Sequence, residues 1–329
     1  MLSAPSQLLE KHLELLISGT TLVIDPLVSD QFTQAHWPEM DTWLLRDIDC
    51  PSKGTSYLYP NSPAQKYNNI IVFYPKSKEK LNVLIDLLSP YCHDNCQILF
   101  VGENKGGIKS LKKQSTHALQ FVNKLASGKH CLLYRASLIP DYQASDVQPK
   151  PFEFTINTTP MPVASLPGVF CHGRLDEGTQ LLLENLPSAI SGNIYDLACG
   201  CGVIGTYIAK HYQIDQLVLS DIDCFAVESA KNTLQLNDVQ GKCITSNGLM
   251  KISSKFDWIF TNPPFHTGVK IDYDITVAFF RDCKAKLKPN GKLVVVANSF
   301  LKYPPLLQTH FQRVDVIAQN NKFKLYVCS

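Results

Sequence analysis

Two segments of the sequence hold residue types whose spacing suits chemistry. The first reads Asp196-Leu197-Ala198-Cys199-Gly200-Cys201-Gly202-Val203-Ile204-Gly205, entered from a short apolar run and left by a stretch of helical spacing. Glycines let a backbone approach a ligand closely, and a helix that starts there offers unpaired N–H groups. Asp221 closes the next apolar run, Gln216–Ser220, where an acid suits the hydroxyls of a ribose. The spacing Gly200-x-Gly202-x-x-Gly205 fits a nicotinamide dinucleotide as well as S-adenosylmethionine. Asp196 tips the balance. A carboxylate four residues before Gly200 would repel a pyrophosphate, but it complements a cofactor with a cationic amino-acid end. Its other use would be to cap N–H groups of its own turn.

The second segment, Asn262-Pro263-Pro264-Phe265, directly follows the strand-like run Phe256–Thr261. In open α/β folds, ligands bind at that end of the strands. Methylating the exocyclic amine of a base is difficult because the nitrogen lone pair is delocalised into the ring. Two acceptors facing the two N–H bonds would draw the nitrogen toward a tetrahedral shape. The Asn262 side-chain oxygen and the Pro263 carbonyl can supply them, with the prolines holding the loop stiff and Phe265 stacking on the base. The competing reading is a rigid Pro-Pro loop whose Asn caps a turn.

These residues need a sheet to position them. From Asn193 onward, apolar runs of strand length alternate with helical spacing: Gln216–Ser220, Phe225–Leu236, Lys242–Thr245, Phe256–Thr261, Thr276–Leu287 and Lys292–Ala297. Such alternation predicts a mostly parallel sheet covered on both faces. The last two runs, Gln312–Ala318 and Lys322–Val327, are joined at Asn320-Asn321 and predict a hairpin with an antiparallel strand at one edge. The first half repeats the later part of this pattern. Pro75 and Pro263, Gly102 and Asn298, and Tyr134 and Tyr326 lie 188, 196 and 192 positions apart, which suggests two copies of one α/β unit. The first copy has no glycine-rich turn, and Tyr74-Pro75-Lys76 stands where Asn262-Pro263-Pro264 stands later. It reads as a copy that has lost its chemistry; two unrelated α/β domains are the alternative. The proline-bearing stretch Asp141–Pro160 reads as a linker, placing the domains at 1–150 and 151–329.

Composition bounds the rest. A length of 329 residues suits two domains, and 45% hydrophobic with 18% charged residues suits two cores. The net charge of +2 excludes a supercharged nucleic-acid tail but leaves room for a local basic patch. No apolar run approaches the roughly 18–20 residues that span a bilayer. Eleven cysteines without framework spacing read as reduced cytoplasmic thiols. Cys92-His93-x-x-Cys96 lacks a second pair at zinc spacing, so no metal is expected. Cys199 and Cys201 read as small packing residues. Lys105, Lys109, Lys112 and Lys113 form a basic patch beside Gly106-Gly107, a solvated face by default and a phosphate contact in a protein that holds RNA.

The pattern D-x-A-x-G-x-G followed by N-P-P-F resembles the Rossmann-type S-adenosylmethionine methyltransferases that act on exocyclic amines. More closely, the chain resembles the small-subunit rRNA guanine-N2 methyltransferases. The stretches that carry this are Val101–Lys109, Leu166–Phe170, Leu175–Leu183, Thr261–His266 and Val296–Phe300, so the likeness covers nearly the whole chain. It implies tandem Rossmann-like methyltransferase domains, each with a mostly parallel sheet, the second with seven strands and an antiparallel edge hairpin. Only that second domain would bind cofactor; the degenerate first would aid folding or RNA docking. The implied reaction is methylation of the N2 amine of guanine 1207 in 16S rRNA of the small ribosomal subunit. A monomeric cytoplasmic enzyme is expected. Carried over by motif, Asp196, Ala198, Gly200 and Gly202 hold the methionine end of the cofactor, Asp221 the ribose and Asn247 the adenine edge, while Asn262, Pro263 and Phe265 hold the guanine. Ala198 departs from the usual glycine. The alternatives are an adenine-N6 enzyme on DNA, a glutamine-N5 enzyme on protein, or an RNA-binding scaffold without catalysis.

Overall fold

The structure is a computed structural model that describes residues 2–263 and 273–329. It divides into two compact units, Met1–Gln148 and Pro149–Ser329. The first unit runs α1 (Ala4–Glu10), β1 (Thr21–Ile24), β2 (Asp41–Leu44), β3 (Ser56–Leu58), β4 (Tyr67–Phe73), α2 (Lys78–Leu88), β5 (Cys92–Glu103), α3 (Leu111–Gln114), β6 (Leu119–Gly128) and β7 (Cys131–Leu138). Its sheet order is β3-β2-β1-β4-β5-β7-β6, with β7 antiparallel to both neighbours and the other pairs parallel. The strands β1 and β4 are nearly continuous apolar runs because both faces of a parallel sheet are covered.

The second unit runs β8 (Lys150–Ile156), β9 (Thr159–Ser165), α4 (Glu177–Glu184), β10 (Asn193–Leu197), α5 (Val203–His211), β11 (Gln216–Asp221), α6 (Cys224–Leu236), β12 (Lys242–Thr245), β13 (Phe256–Thr261), α7 (Tyr273–Lys286), β14 (Leu287–Asn298), α8 (Tyr303–Gln308), β15 (Val314–Gln319) and β16 (Phe323–Cys328). Its sheet order, β12-β11-β10-β13-β14-β16-β15, repeats that of the first unit element for element. The last strand, β16, is antiparallel and returns between β14 and β15. Its core includes Tyr195 stacked on Phe256 at 4.7 Å and Phe280 edge-on to Tyr303 at 5.2 Å.

Two elements differ from expectation. Much of the expected linker is folded: Lys150–Ile156 pairs with Thr159–Ser165 across the two-residue turn Asn157-Thr158, whose φ angles are 47° and 65°. That is the left-handed pair of a tight hairpin. The prolines Pro151, Pro160 and Pro162 are tolerated because the hairpin is a two-stranded ribbon with edges on both sides. Side chains of α6 satisfy one of those edges: the N–H groups of Ala164 and Leu166 donate to Thr233 Oγ1 at 3.0 Å and Ser229 Oγ at 2.9 Å. The strand expected at Lys292–Ala297 starts instead at Leu287. Leu287 pairs with Phe256 and Lys292 with Trp258, so the Pro289-Asn290-Gly291 turn bulges out of a continuous strand.

The matching sheets allow a residue-level comparison of the two units. Aligning Tyr134 with Tyr326 places Val72 at the register of Thr261 and Ile24 at that of Leu197. Val23, Leu44 and Phe73 then stand where the second unit has Asp196, Asp221 and Asn262. Tyr74 then matches Pro263, one residue from where the motifs alone place it. The residue after the first strand keeps its left-handed backbone in both units, Asp25 at φ 50° and Ala198 at φ 58°. Beside it, Arg46 donates from Nε to Asp25 Oδ1 and from Nη2 to the Pro26 carbonyl, both at 2.9 Å. All eleven cysteines are free, and no helix among the described residues is long and apolar enough to cross a membrane.

Removing the Arg46 side chain would leave a half-buried carboxylate and a carbonyl without their donors. We expect Arg46→Ala to destabilise the protein by about 1–3 kcal/mol, read from the urea midpoint of the full chain. An unchanged midpoint would show that the pair contributes nothing.

Candidate active site

Parallel pairing brings the site to one edge. Leu197 lies opposite both Ser220 and Thr261, so the chain leaves β10, β11 and β13 at the same end of the sheet. After β10 the backbone is left-handed at Ala198, Gly200 and Gly202, with φ 58°, 54° and 78°. For Ala198 that conformation costs about 1 kcal/mol. The glycines serve different ends. A Cβ on Gly202 would meet Ala230 Cβ at 2.8 Å, so this glycine lets α5 start close against α6. A Cβ on Gly205 would come within 3.1 Å of the Asp196 carboxylate. Gly200 lies under Phe170, a ring that is 52% exposed.

Asp196 is fully buried. Its Oδ2 accepts the Gly205 N–H at 2.8 Å, and its Oδ1 has no hydrogen-bond partner among the described residues. Half of the carboxylate therefore caps its own turn and half does not. Burial pushes the Asp196 carboxyl up to about 7; the Gly205 N–H opposes the shift and the charge of Asp221 adds to it. Asp221 accepts from the N–H groups of Gly200 and Asp223, each at 3.0 Å, which ties the end of β11 to the glycine turn. Desolvation raises this carboxyl to about 6 against those two bonds. Ser246 N–H donates to the Asp221 carbonyl at 2.9 Å, and the next residue, Asn247, is exposed. Burial also holds the Cys199 thiol well above its ordinary value, in keeping with a packing role.

Asn262 and Pro263 are buried at the end of β13. The Asn262 Nδ2 donates to Asp176 Oδ2 and Thr179 Oγ1, both at 3.0 Å. A carboxylate only accepts, so the amide nitrogen must face Asp176. With both N–H groups used, the oxygen is the end of the amide left to accept. The same Asp176 oxygen caps α4, accepting from Gly178 N–H at 2.9 Å and Thr179 N–H at 3.1 Å. Sequence reasoning gave neither Asp176 nor Thr179 a role. Their signal was present as an Asp-x-Gly-Thr helix start, with nothing to link it to a residue 86 positions away.

The structure thus gathers Asp196, Ala198, Gly200, Gly202, Asp221, Asn262 and Pro263 at the carboxyl edge of the second sheet, with Asn247 following β12 there. Phe265 lies outside the described residues. Lys105, Lys109, Lys112 and Lys113 belong to the first unit and are exposed, on a short segment anchored by buried Ile108 and Leu111. Among the described residues no three His, Cys, Asp or Glu side chains gather as metal ligands.

The raised Asp196 carboxyl has a stability consequence. Its proton is held more tightly in the native than in the unfolded chain, so the native state is favoured at acid pH. That advantage is lost as pH rises from 3.8 toward 7. For a buried group the difference is at most about 4 kcal/mol. Asp196→Asn should flatten the fall in Tm between pH 5 and pH 7.5 relative to wild type. Parallel Tm curves would show that Asp196 titrates normally.

Comparison with known proteins agrees with this architecture. The methyltransferase small domain model matches residues 160–327, and the methyltransferase small domain N-terminal model matches residues 6–150. The ribosomal RNA small subunit methyltransferase C of Pseudoalteromonas translucida is 36% identical over 348 aligned positions, covering 99% of each chain. That of Psychromonas ingrahamii is 37% identical, covering 80% of this chain and 76% of its own. A solved structure from T. thermophilus, a 16S rRNA N2 guanine-1207 methyltransferase in complex with AdoMet and guanosine, shares the fold. Its TM-score is 0.82 at 21% identity, over 99% of this chain and 92% of that one. With its two domain models matched in order and such relatives aligned end to end, the chain belongs to the ribosomal RNA small subunit methyltransferase C family of enzymes.

Proposed function

We propose that this chain transfers a methyl group from S-adenosylmethionine to the N2 amine of guanine 1207 in 16S rRNA, the reaction named for the T. thermophilus neighbour. The observation that carries the reading is the orientation of Asn262, whose two N–H groups are committed to Asp176 and Thr179. A ligand amine therefore meets an acceptor oxygen.

The residues fit the cofactor. Asp196 Oδ1 is a buried carboxylate oxygen with no partner among the described residues, and a cationic amino group is the complement it lacks. Asp196, Ala198, Gly200 and Gly202 hold the methionine end at the start of α5. Asp221 takes the ribose hydroxyls and Asn247 the adenine edge. When bound, S-adenosylmethionine supplies an electrophilic methyl group. The chain's own part is to hold and shape the acceptor nitrogen. The Asn262 Oδ1 and the Pro263 carbonyl accept from the two N2 hydrogens, which localises the lone pair on nitrogen. Phe265 is assigned the base-stacking role from its motif. No side chain needs to take the proton, because the amine becomes acidic once methylated and its proton leaves to water.

The first unit binds no cofactor in this reading. It has Val23, Leu44 and Phe73 at the three decisive positions, and Arg46 occupies the turn after β1. It serves as a folding and docking domain for RNA of the small ribosomal subunit, through Lys105, Lys109, Lys112 and Lys113. We read the enzyme as a monomer of the cytoplasm, where that RNA is assembled.

Two measurements test this. Asn262→Ala should keep fold and cofactor affinity while lowering turnover by roughly 10²–10³, because its oxygen acts as nitrogen changes shape. The assay is tritium transfer to 16S rRNA with nucleoside analysis of the product. Near-normal turnover, or methyl groups on a ring carbon or ribose oxygen, would defeat the reading. Reversing the four lysine charges should weaken RNA binding and flatten its salt dependence together. An unaltered salt slope would remove this patch from the interface.

A further inference from the structure

The amide of Asn262 has two ends of nearly equal size, and only its partners decide which end faces the substrate. Thr179 Oγ1 does not decide, because a hydroxyl donates as readily as it accepts. Asp176 does decide, because its carboxylate accepts only. Its Oδ2 draws three N–H groups, from Gly178, Thr179 and Asn262. The helix start that carries it is held in place. Lys322 grips Glu177 with both carboxylate oxygens at 2.8 Å, and the Phe323 ring packs so close to Gly178 that a Cβ there would meet it at 3.0 Å. Among the described residues, the thiol of Cys171 also faces Asp176.

We propose that Asp176 is a positioning residue for the reaction, locking the Asn262 amide so that Oδ1 faces the acceptor. This rests on the reading that Asn262 Oδ1 receives an N–H of the exocyclic amine. It also makes Asp176 a specificity device. With the amide turned over, the site would offer N–H groups and would suit the O6 carbonyl of guanine rather than its N2 amine.

The test separates capping from positioning. Ser is a good helix cap with a side chain too short to reach Asn262. Asp176→Ser should keep its Tm and its KM for rRNA while kcat falls roughly ten- to hundredfold, the effect of losing a bond to a charged partner. The side-chain amide protons of Asn262, assigned by their loss in Asn262→Ala, should exchange slowly with solvent in the wild type and fast in Asp176→Ser. A second pair of variants covers the case in which Asp176→Ser fails to fold. Asn262→Asp puts two carboxylates about 3 Å apart, where they must share one proton, so turnover should fall as pH rises. Adding Asp176→Asn restores a donor–acceptor pair and should remove that fall. Wild-type kcat in a folded Asp176→Ser protein, or identical pH profiles for the single and double variants, would overturn the proposal. Proton protection that depends on Asp176 in an enzyme that moves no methyl to RNA would uphold the positioning and overturn the function instead.

Discussion

The register of three neighbouring strands is the constraint on which the site depends. Leu197 lies between Ser220 on one side and Thr261 on the other. The glycine turn, the acid of β11 and the Asn-Pro segment each follow one of these residues within a position or two. A slip of one residue in either pairing would turn every side chain of a strand to the opposite face. It would carry the Asp196 carboxylate away from α5 and Asn262 away from α4. The apolar residues of β10 and β13, buried on both sides, make such a slip expensive. The hydrophobic core thus enforces the alignment of polar groups that take no part in it.

The polar groups at the edge then act on one another through backbone as much as through side chains. Asp221 holds Gly200 and Asp196 holds Gly205, so each acid shapes the turn in which the other works. Asp176 is at once the cap of one helix and the partner of a strand-end amide. Because these bonds lie within the chain itself, little reorganisation is left for the moment of reaction.

What could be read from the sequence followed from how local each feature is. Gly200, Gly202 and Asn262 announce themselves because a turn or a loop needs those residue types within a few positions. The strand–helix rhythm was legible for the same reason, and with it the duplicated fold. The hairpin of β8 and β9 was hidden because Pro151 and Pro160 read as breakers until an unpaired edge makes room for them. The contacts of Asp176 and Thr179 with Asn262, and of Arg46 with Asp25, were invisible in the sequence. Each residue finds its partner through the tertiary fold, and no spacing in the chain encodes that meeting.

The left-handed residue after the first strand appears in both units, although the first has Val23 and Leu44 where the second has its acids. The bend does not depend on those side chains. The strained bend therefore goes with the strand order that both units share, and not with the polar groups around it. The same path of the chain thus accommodates a buried acid with glycines in one unit and a basic residue in the other.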